Sequence, residues 1–573
     1  MRAHSWWCDS SGGNVARMRV AAWVILVAAC GPPPRPTEAP PDGDLGPPCT
    51  AGQTACDGSD RLVCVDGNFA VGEHCAELCD PAHGCVLCVP GSVECIDDTH
   101  TRTCAADGST YTDEMCDAAQ NLTCNGGICV DACATAAMAK SYIGCEYYPT
   151  VTTNAVDESA FQFAITISNG GTSNVTATID GGGLTASISL VVAPGDVAVQ
   201  TLPWISVLYF GSALVHGGAY HVTTTAPVTV YQFNPLQYVS GAEYSESNDA
   251  SLLLPVAALD GDYVVASYPT NSFNAPGFLA VTATEDNTTV TITTRSNAQG
   301  GGGAPPFVAG VPQDVVLSRG DVLQLDGPVY DGGADDLTGS LVSANKPVQV
   351  ISGHECTFVP LDTPYCDHIE ETMFPIATLS TTYAVTNPAV PLLPDGKEQV
   401  IRIIAAQAST SLTFDPPLPA VATSLAAPGD FIDISRHLGD LVVTGDHRIL
   451  VAQYMEGQEA GGNTGDPALA LAVPLDQYRR SYLFHAPLNY EVAYVNLTAA
   501  VGTQVMVDGV PVTIGHPIGA SGQGVERYQL VPTATGNHTA TSTVHFGVSV
   551  YGYGQYTSYW YPGGLDLADI VIP

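Results

Sequence analysis

From residue 140 to residue 573 apolar and polar positions alternate in short runs, and no long three-to-four-residue period appears. In "GFLAVTATEDNTTVTIT" (277–293), Phe278 and Ala280 fall on one face and a Thr-Val-Thr-Ile run follows a turn. A period of two is that of strands with one face buried and one wet, as in antiparallel sheets. The runs also recur. "PVTVYQF" (227), "PVQVISG" (347), "RILVAQY" (448) and "FGVSVYG" (546) lie about 100 to 120 residues apart. A second set precedes three of them: "LLLPVAALDGDYVVASYP", "TMFPIATLSTTYAVTNP" and "LALAVPLDQYRRSYLFHAP". Gly-Asp turns such as "PGDVAV", "RGDVLQL" and "PGDFIDI" separate strands. Six or seven short strands per roughly 100 residues is the pattern of an antiparallel β-sandwich. The expected fold is therefore mostly β, with tandem Ig-like sandwich modules at about 140–240, 250–355, 370–460 and 468–573. A β-propeller is the second architecture considered, but its usual period of about 40 to 50 residues is shorter.

The region 49–133 follows another logic. Cys49, Cys56, Cys64, Cys75, Cys79 and Cys85 are followed in similar rhythm by Cys88, Cys95, Cys104, Cys116, Cys124 and Cys129. Two repeats of six cysteines read as a disulfide framework standing in for a small core, with connectivity left open. Cys133 pairs with Cys145 and Cys356 with Cys366 by proximity. Zinc is the rival for Cys85 and Cys88, but no second pair with finger spacing accompanies them.

Eighteen cysteines place the chain in an oxidising compartment, which calls for an export signal. Residues 1–29 supply one, with translation starting at Met1 or Met18. A basic start and a short apolar run lead to Val27-Ala28-Ala29-Cys30, a bacterial lipobox in which Cys30 is lipidated. Residues 30–48, rich in proline, form an extended spacer. The expected location is the cell envelope, at the outer membrane or cell surface. A net charge of −40, from 17 basic against 57 acidic residues, argues against nucleic acid as a partner.

Candidate chemistry gathers in "SGHECTFVPLDTPYCDHIEE" (352–371). His354-Glu355 begins like a zinc-protease helix motif, but Phe358 stands where its second histidine belongs. A Cys356–Cys366 bridge would draw His354, Glu355, Asp367 and His368 together, and two histidines with two carboxylates suit zinc. The alternative is that the histidines satisfy backbone groups and the bridge staples a junction between the second and third modules. Calcium is considered at "DGGADD" (331–336), which lacks EF-hand spacing. The aromatic ending "VYGYGQYTSYWYPGG" reads first as module packing and second as a recognition surface. Serine-hydrolase elbows, phosphate loops and dinucleotide fingerprints are absent from the sequence.

The segments "KSYIGCEYYPT", "APVTVYQFNPL", "SNDASLLLPVAAL", "DLTGSLVSANKPVQVISGHECTFVP", "CDHIEE" and "YGYGQYTSYWYPGG" resemble the N-terminal domain of the IgGFc-binding protein family. The resemblance covers nearly all of 140–573 and implies a binding module; the missing catalytic motifs argue against an enzyme. Together these readings predict a lipid-anchored bacterial surface protein acting in adhesion or capture of an extracellular protein or glycan, without a required cofactor. A structural envelope stalk without a specific ligand, a surface hydrolase and a metal-binding protein using the 354–368 loop are the alternatives.

Overall fold

Proline and the polar caps of each run decide where the strands stop, and the computed structural model describes them for residues 49–571, except 98, 118–121, 331, 333 and 334. The export segment, Cys30 and the Pro-rich spacer lie outside the described residues. The chain divides into two units, Met1–Ser92 with Cys104–Tyr111, and Val93–Thr103 with Thr112–Pro573.

The first unit holds a three-stranded antiparallel sheet (Thr54–Asp57, Asp60–Val65, Asn68–His74) and a hairpin of Leu78–Asp80 with Gly84–Val86. Among its described residues the buried apolar ones are Cys75, Val86, Cys88 and Cys104, so cross-links take the place of a core. Both cysteine repeats share one connectivity: first to third, second to fifth, fourth to sixth. The first has Cys49–Cys64, Cys56–Cys79 and Cys75–Cys85. The second has Cys88–Cys104, Cys95–Cys124 and Cys116–Cys129.

In the second unit a helix, Ala132–Ala139, is capped by the Asp131 side chain on Ala134 N (2.7 Å). The Cys133–Cys145 bridge ties it to the strand Gly144–Tyr147. Four antiparallel sandwiches follow. In the first and fourth, one long strand serves both sheets. Tyr220–Asn234 pairs with Gly144–Tyr147 and Val175–Gly181 on one side, and with Ala164–Ser168 and Asp249–Leu253 on the other. Pro227, which has no N–H to give to a ladder, sits where it changes sheets. Asn537–Gly554 does the same in the fourth, where Gly547 lets the strand pass the ring of Tyr478; a Cβ there would lie 2.4 Å from it.

The module boundaries differ from the sequence grouping. Asp249–Leu253, grouped by the sequence pattern with the module at about 250–355, pairs with Tyr220–Asn234 of the first sandwich. Asp367–Thr372 pairs with Val348–Thr357 of the second, and Ala468–Leu471 with Ile449–Met455 of the third. Thr557–Pro562 closes the fourth against Asn537–Gly554. The reason is local. Pro255, Pro375 and Pro474 follow these strands, and each starts a short 3₁₀ turn (Val256–Ala258, Ile376–Thr378, Leu475–Gln477) that carries the chain into the next module. The break falls at the proline, after the apolar run.

The four closing strands pack side by side around one axis, the last returning to the first. This closure buries strands such as Gly277–Ala283, Gln399–Ala405 and Ile449–Met455 on both faces, where alternation alone predicts one wet face. Outer strands such as Thr288–Thr293 keep the half-buried pattern. One apolar core runs from Tyr142 to Leu567 through all four sandwiches.

A tyrosine recurs at the entry of each sandwich. The hydroxyl of Tyr147 accepts Gly144 N–H (2.7 Å) and donates to Val228 O (2.6 Å). Tyr263 links Asp260 N (3.1 Å) to Val348 O (2.7 Å), and Tyr383 links Ser380 N (3.2 Å) to Ile449 O (2.5 Å). Tyr482 joins Arg479 N to Phe546 O. The four acceptors head the four recurring strands, so each buried tyrosine fixes a module's entry to its central strand.

Candidate functional site

The residues singled out in 352–371 lie on one hairpin, Val348–Thr357 with Asp367–Thr372, closed by Cys356–Cys366. The bridge joins two neighbouring strands of the second sandwich, so it is an intramodule staple rather than a junction between modules. His354 is buried; its Nδ1 accepts Cys356 N–H (3.1 Å) and its Nε2 reaches Pro269 O (3.1 Å). Burial pushes it down to about 3, which keeps the ring neutral. Glu355, the next residue, points to the opposite side of the strand. Partial burial raises its carboxyl.

His368 stacks on Phe278 and places Nε2 3.3 Å from Glu370 Oε2. Burial would raise Glu370, but His368 and surrounding donors hold it below the usual range. Those donors are Gln232 (2.8 Å), Thr152 (2.7 Å), Ser251 (3.2 Å) and Asn234 (3.2 Å). Asp367 accepts from Asn248 N, Thr557 Oγ1 (2.9 Å) and Ser558 N (3.3 Å). His354, Asp367 and His368 are thus each engaged separately, and Glu355 is not brought onto one point with them. Among the described residues no three His, Cys, Asp or Glu side chains form a metal-holding group. Of "DGGADD", positions 331, 333 and 334 lie outside the described residues. Asp336 pairs with the buried Arg402 of the third sandwich at 2.6 Å.

The group at the axis is Asp249, which the sequence reading passed over. One carboxylate oxygen accepts Ala250 N (2.9 Å) and Trp560 N (3.1 Å); the other accepts Leu469 N (2.9 Å) and Glu370 N (3.1 Å). Each donor belongs to a different closing strand. Burial pushes the carboxyl up and the four N–H groups pull it down. Every partner is a donor, so the ionised form is the one the site fits. Glu371, beside it, accepts Leu252 N (3.2 Å) and Thr372 N (2.8 Å) while burial raises it. The sequence signal was available: a lone acid at the head of an apolar strand. These buried polar groups lock strands from distant parts of the chain and face no open space.

The open features lie at the surface seams. Between the first and second sandwiches a recess of about 490 Å³ is lined by Val207, Phe210, Gly300, Gly301 and Asp326. The segment after Val197–Thr201 leaves the first sandwich, forms the short helix Ser206–Tyr209, and adds the edge strand Ala213–Val215 to the second sandwich's sheet. Asp326 ends the neighbouring strand Val322–Asp326 there. Phe210 is 74% exposed and packs edge-on against Tyr209 (4.7 Å). Asp326 is 6% exposed, and its Oδ1 has no hydrogen-bond partner. Burial, and then the charge of Glu355, push its carboxyl up to about 7.

The family model described as IgGFc binding protein matches residues 249–552, from the carboxylate at the axis to the long strand of the fourth sandwich. The IgGFc-binding protein of Homo sapiens is 26% identical over 323 residues, which is 55% of this chain. The chain spans only 6% of that relative's length. With more than half of its residues inside the family model, the chain belongs to the IgGFc-binding protein family.

Proposed function

We propose that this protein is a lipid-anchored bacterial cell-surface protein that captures an extracellular protein or glycan and performs no chemistry of its own. The observation that carries the binding role is the family match, which runs across three of the four closing strands that join the sandwiches and reaches the long strand on which the fourth pairs. A body of this kind is suited to present loops and seams at fixed spacing, since its core residues are close-packed and its buried acids are held by backbone donors. Cys30, after Val27-Ala28-Ala29, supports the lipid anchor, and the Pro-rich stretch to residue 48 would hold the bridged repeats and the body away from the membrane.

The test is a pull-down with the purified chain as bait against whole cells, a glycan panel and immunoglobulin, read by mass spectrometry. Saturable capture of a defined partner supports the proposal. Retention of nothing above a denatured-bait control overturns it. Labelled palmitate incorporated by wild type and lost in Cys30→Ser supports the anchor, and label that survives the substitution overturns it.

A further inference from the structure

A carboxylate oxygen buried without a partner is costly, because the folded state gives up its hydration and supplies nothing in return. Asp326 Oδ1 is in that position, sealed from solvent, and the Asp326 side chain lines the recess at the first seam. Its immediate surroundings add negative charge. Glu355 lies close enough to raise it, and Asp157 and Glu158 act with Glu355 on the adjacent Tyr209. The recess lining contains no lysine, arginine or histidine. Its mouth carries an exposed aromatic face, Phe210, beside Val207, which is 50% exposed. The lining also includes Gly300, Gly301 and Gly302, and at Gly302 a Cβ would meet two other lining residues, Ser212 at 2.9 Å and Val207 at 3.0 Å.

We infer that this recess binds an alkylammonium or guanidinium group, the end of a lysine or arginine side chain on a partner protein. Such a group donates to the Asp326 carboxylate, neutralises the paired acids, and lays its apolar stem or its charge against Phe210. An inorganic divalent cation fits less well, since it needs several oxygen ligands at once and one buried carboxylate with an aromatic rim does not supply them. A neutral sugar hydroxyl would satisfy the hydrogen bond and leave the charge. The claim that the cation belongs to a protein rests on the binding role proposed above; the recess and its chemistry do not.

The experiment titrates the full chain with Nα-acetyl-lysine amide and Nα-acetyl-arginine amide by calorimetry, with Nα-acetyl-glutamine amide and lactose as neutral probes. Binding is expected for the two cations, weak, near the millimolar range (about −4 kcal/mol). Asp326→Asn keeps shape and removes charge, and is expected to weaken it about tenfold or more. Phe210→Ala, at an exposed position, is expected to weaken it about threefold. Raising ionic strength from about 0.05 to about 0.5 M is expected to weaken it further. Equal binding by the neutral probes, unchanged binding in Asp326→Asn, or no cation binding at about 20 mM probe overturns the inference. Should Asp326→Asn fail to fold, Phe210→Ala decides alone. A partner captured equally by wild type and Asp326→Asn leaves the binding function standing and overturns this site. Cation binding lost in Asp326→Asn upholds the site even where no partner is captured.

Discussion

The carboxylate of Asp249, on the closing strand of the first sandwich, accepts the backbone N–H of Trp560, on the closing strand of the fourth, at 3.1 Å. The two residues are 311 positions apart, and the same carboxylate also holds Glu370 and Leu469 from the strands between. One side chain therefore joins the start of the ring of modules to its end.

Asp249→Asn replaces one accepting oxygen with an amide that faces two N–H donors. The expected loss is about 3 kcal/mol or more, since hydrogen bonds to a charged group are removed and their donors stay buried. Urea unfolding compared with the exposed Asp196→Asn checks this; the control is expected within about 0.5 kcal/mol of wild type. A wild-type midpoint for Asp249→Asn would mean that the axis does not depend on this carboxylate.

The entry tyrosines act one module at a time. Tyr263→Phe leaves the ring in place and strips Asp260 N–H of its acceptor and Val348 O of its donor. A destabilisation of about 1–3 kcal/mol is expected, with similar values for Tyr147→Phe and Tyr383→Phe because the geometry repeats. Melting temperatures of the three single variants provide the comparison.

Much of this fold was legible because strand alternation and turn residues are local properties. Thr288–Thr293 and Val175–Gly181 show in the structure the alternation their sequences carry. Which neighbour a strand joins is not local. Asp249–Leu253 is apolar enough to suit either sandwich, and only Pro255, which ends it before the 3₁₀ turn, marks the true break. The axis was hidden for the same reason. "DHIEE" looked like solution chemistry because its charges stand together in sequence, whereas their partners Asn248, Thr557, Gln232 and Thr152 come from three distant stretches. Asp326 drew no notice in the sequence, since nothing in "VLQLDGPVY" reveals that it comes to line one recess with Phe210.

Removing the Cys356–Cys366 bridge tests the intramodule staple. The cysteines are ten positions apart, and chain entropy assigns such a loop about 2–3 kcal/mol. The double Cys356→Ser, Cys366→Ser variant is expected to lose about that much. It is also expected to keep the amide exchange protection of Glu370, whose N–H is held by Asp249 rather than by the loop. Loss of that protection would tie the bridge to the axis directly.

Asp326 should also leave a mark on stability against pH. Its carboxyl is pushed up to about 7 by burial first and Glu355 second, while an unfolded aspartate titrates near 3.9. Between those values the folded chain holds a proton that the unfolded chain has released, so this group's destabilising effect is relieved as pH falls from about 7 to about 4. Above 7 it is present in full. Asp326→Asn removes the titration, so the variant is expected to be more stable than wild type at pH 8, by about 2–4 kcal/mol at most, with the difference shrinking to nothing near pH 4. Denaturant unfolding of the two proteins across this range measures the difference directly. A constant offset at every pH would mean that Asp326 finds a proton-independent partner in the folded chain. A saturating lysine or arginine probe at pH 8 should restore part of wild type's deficit and leave Asp326→Asn unchanged, because only the ionised oxygen gains a partner from it.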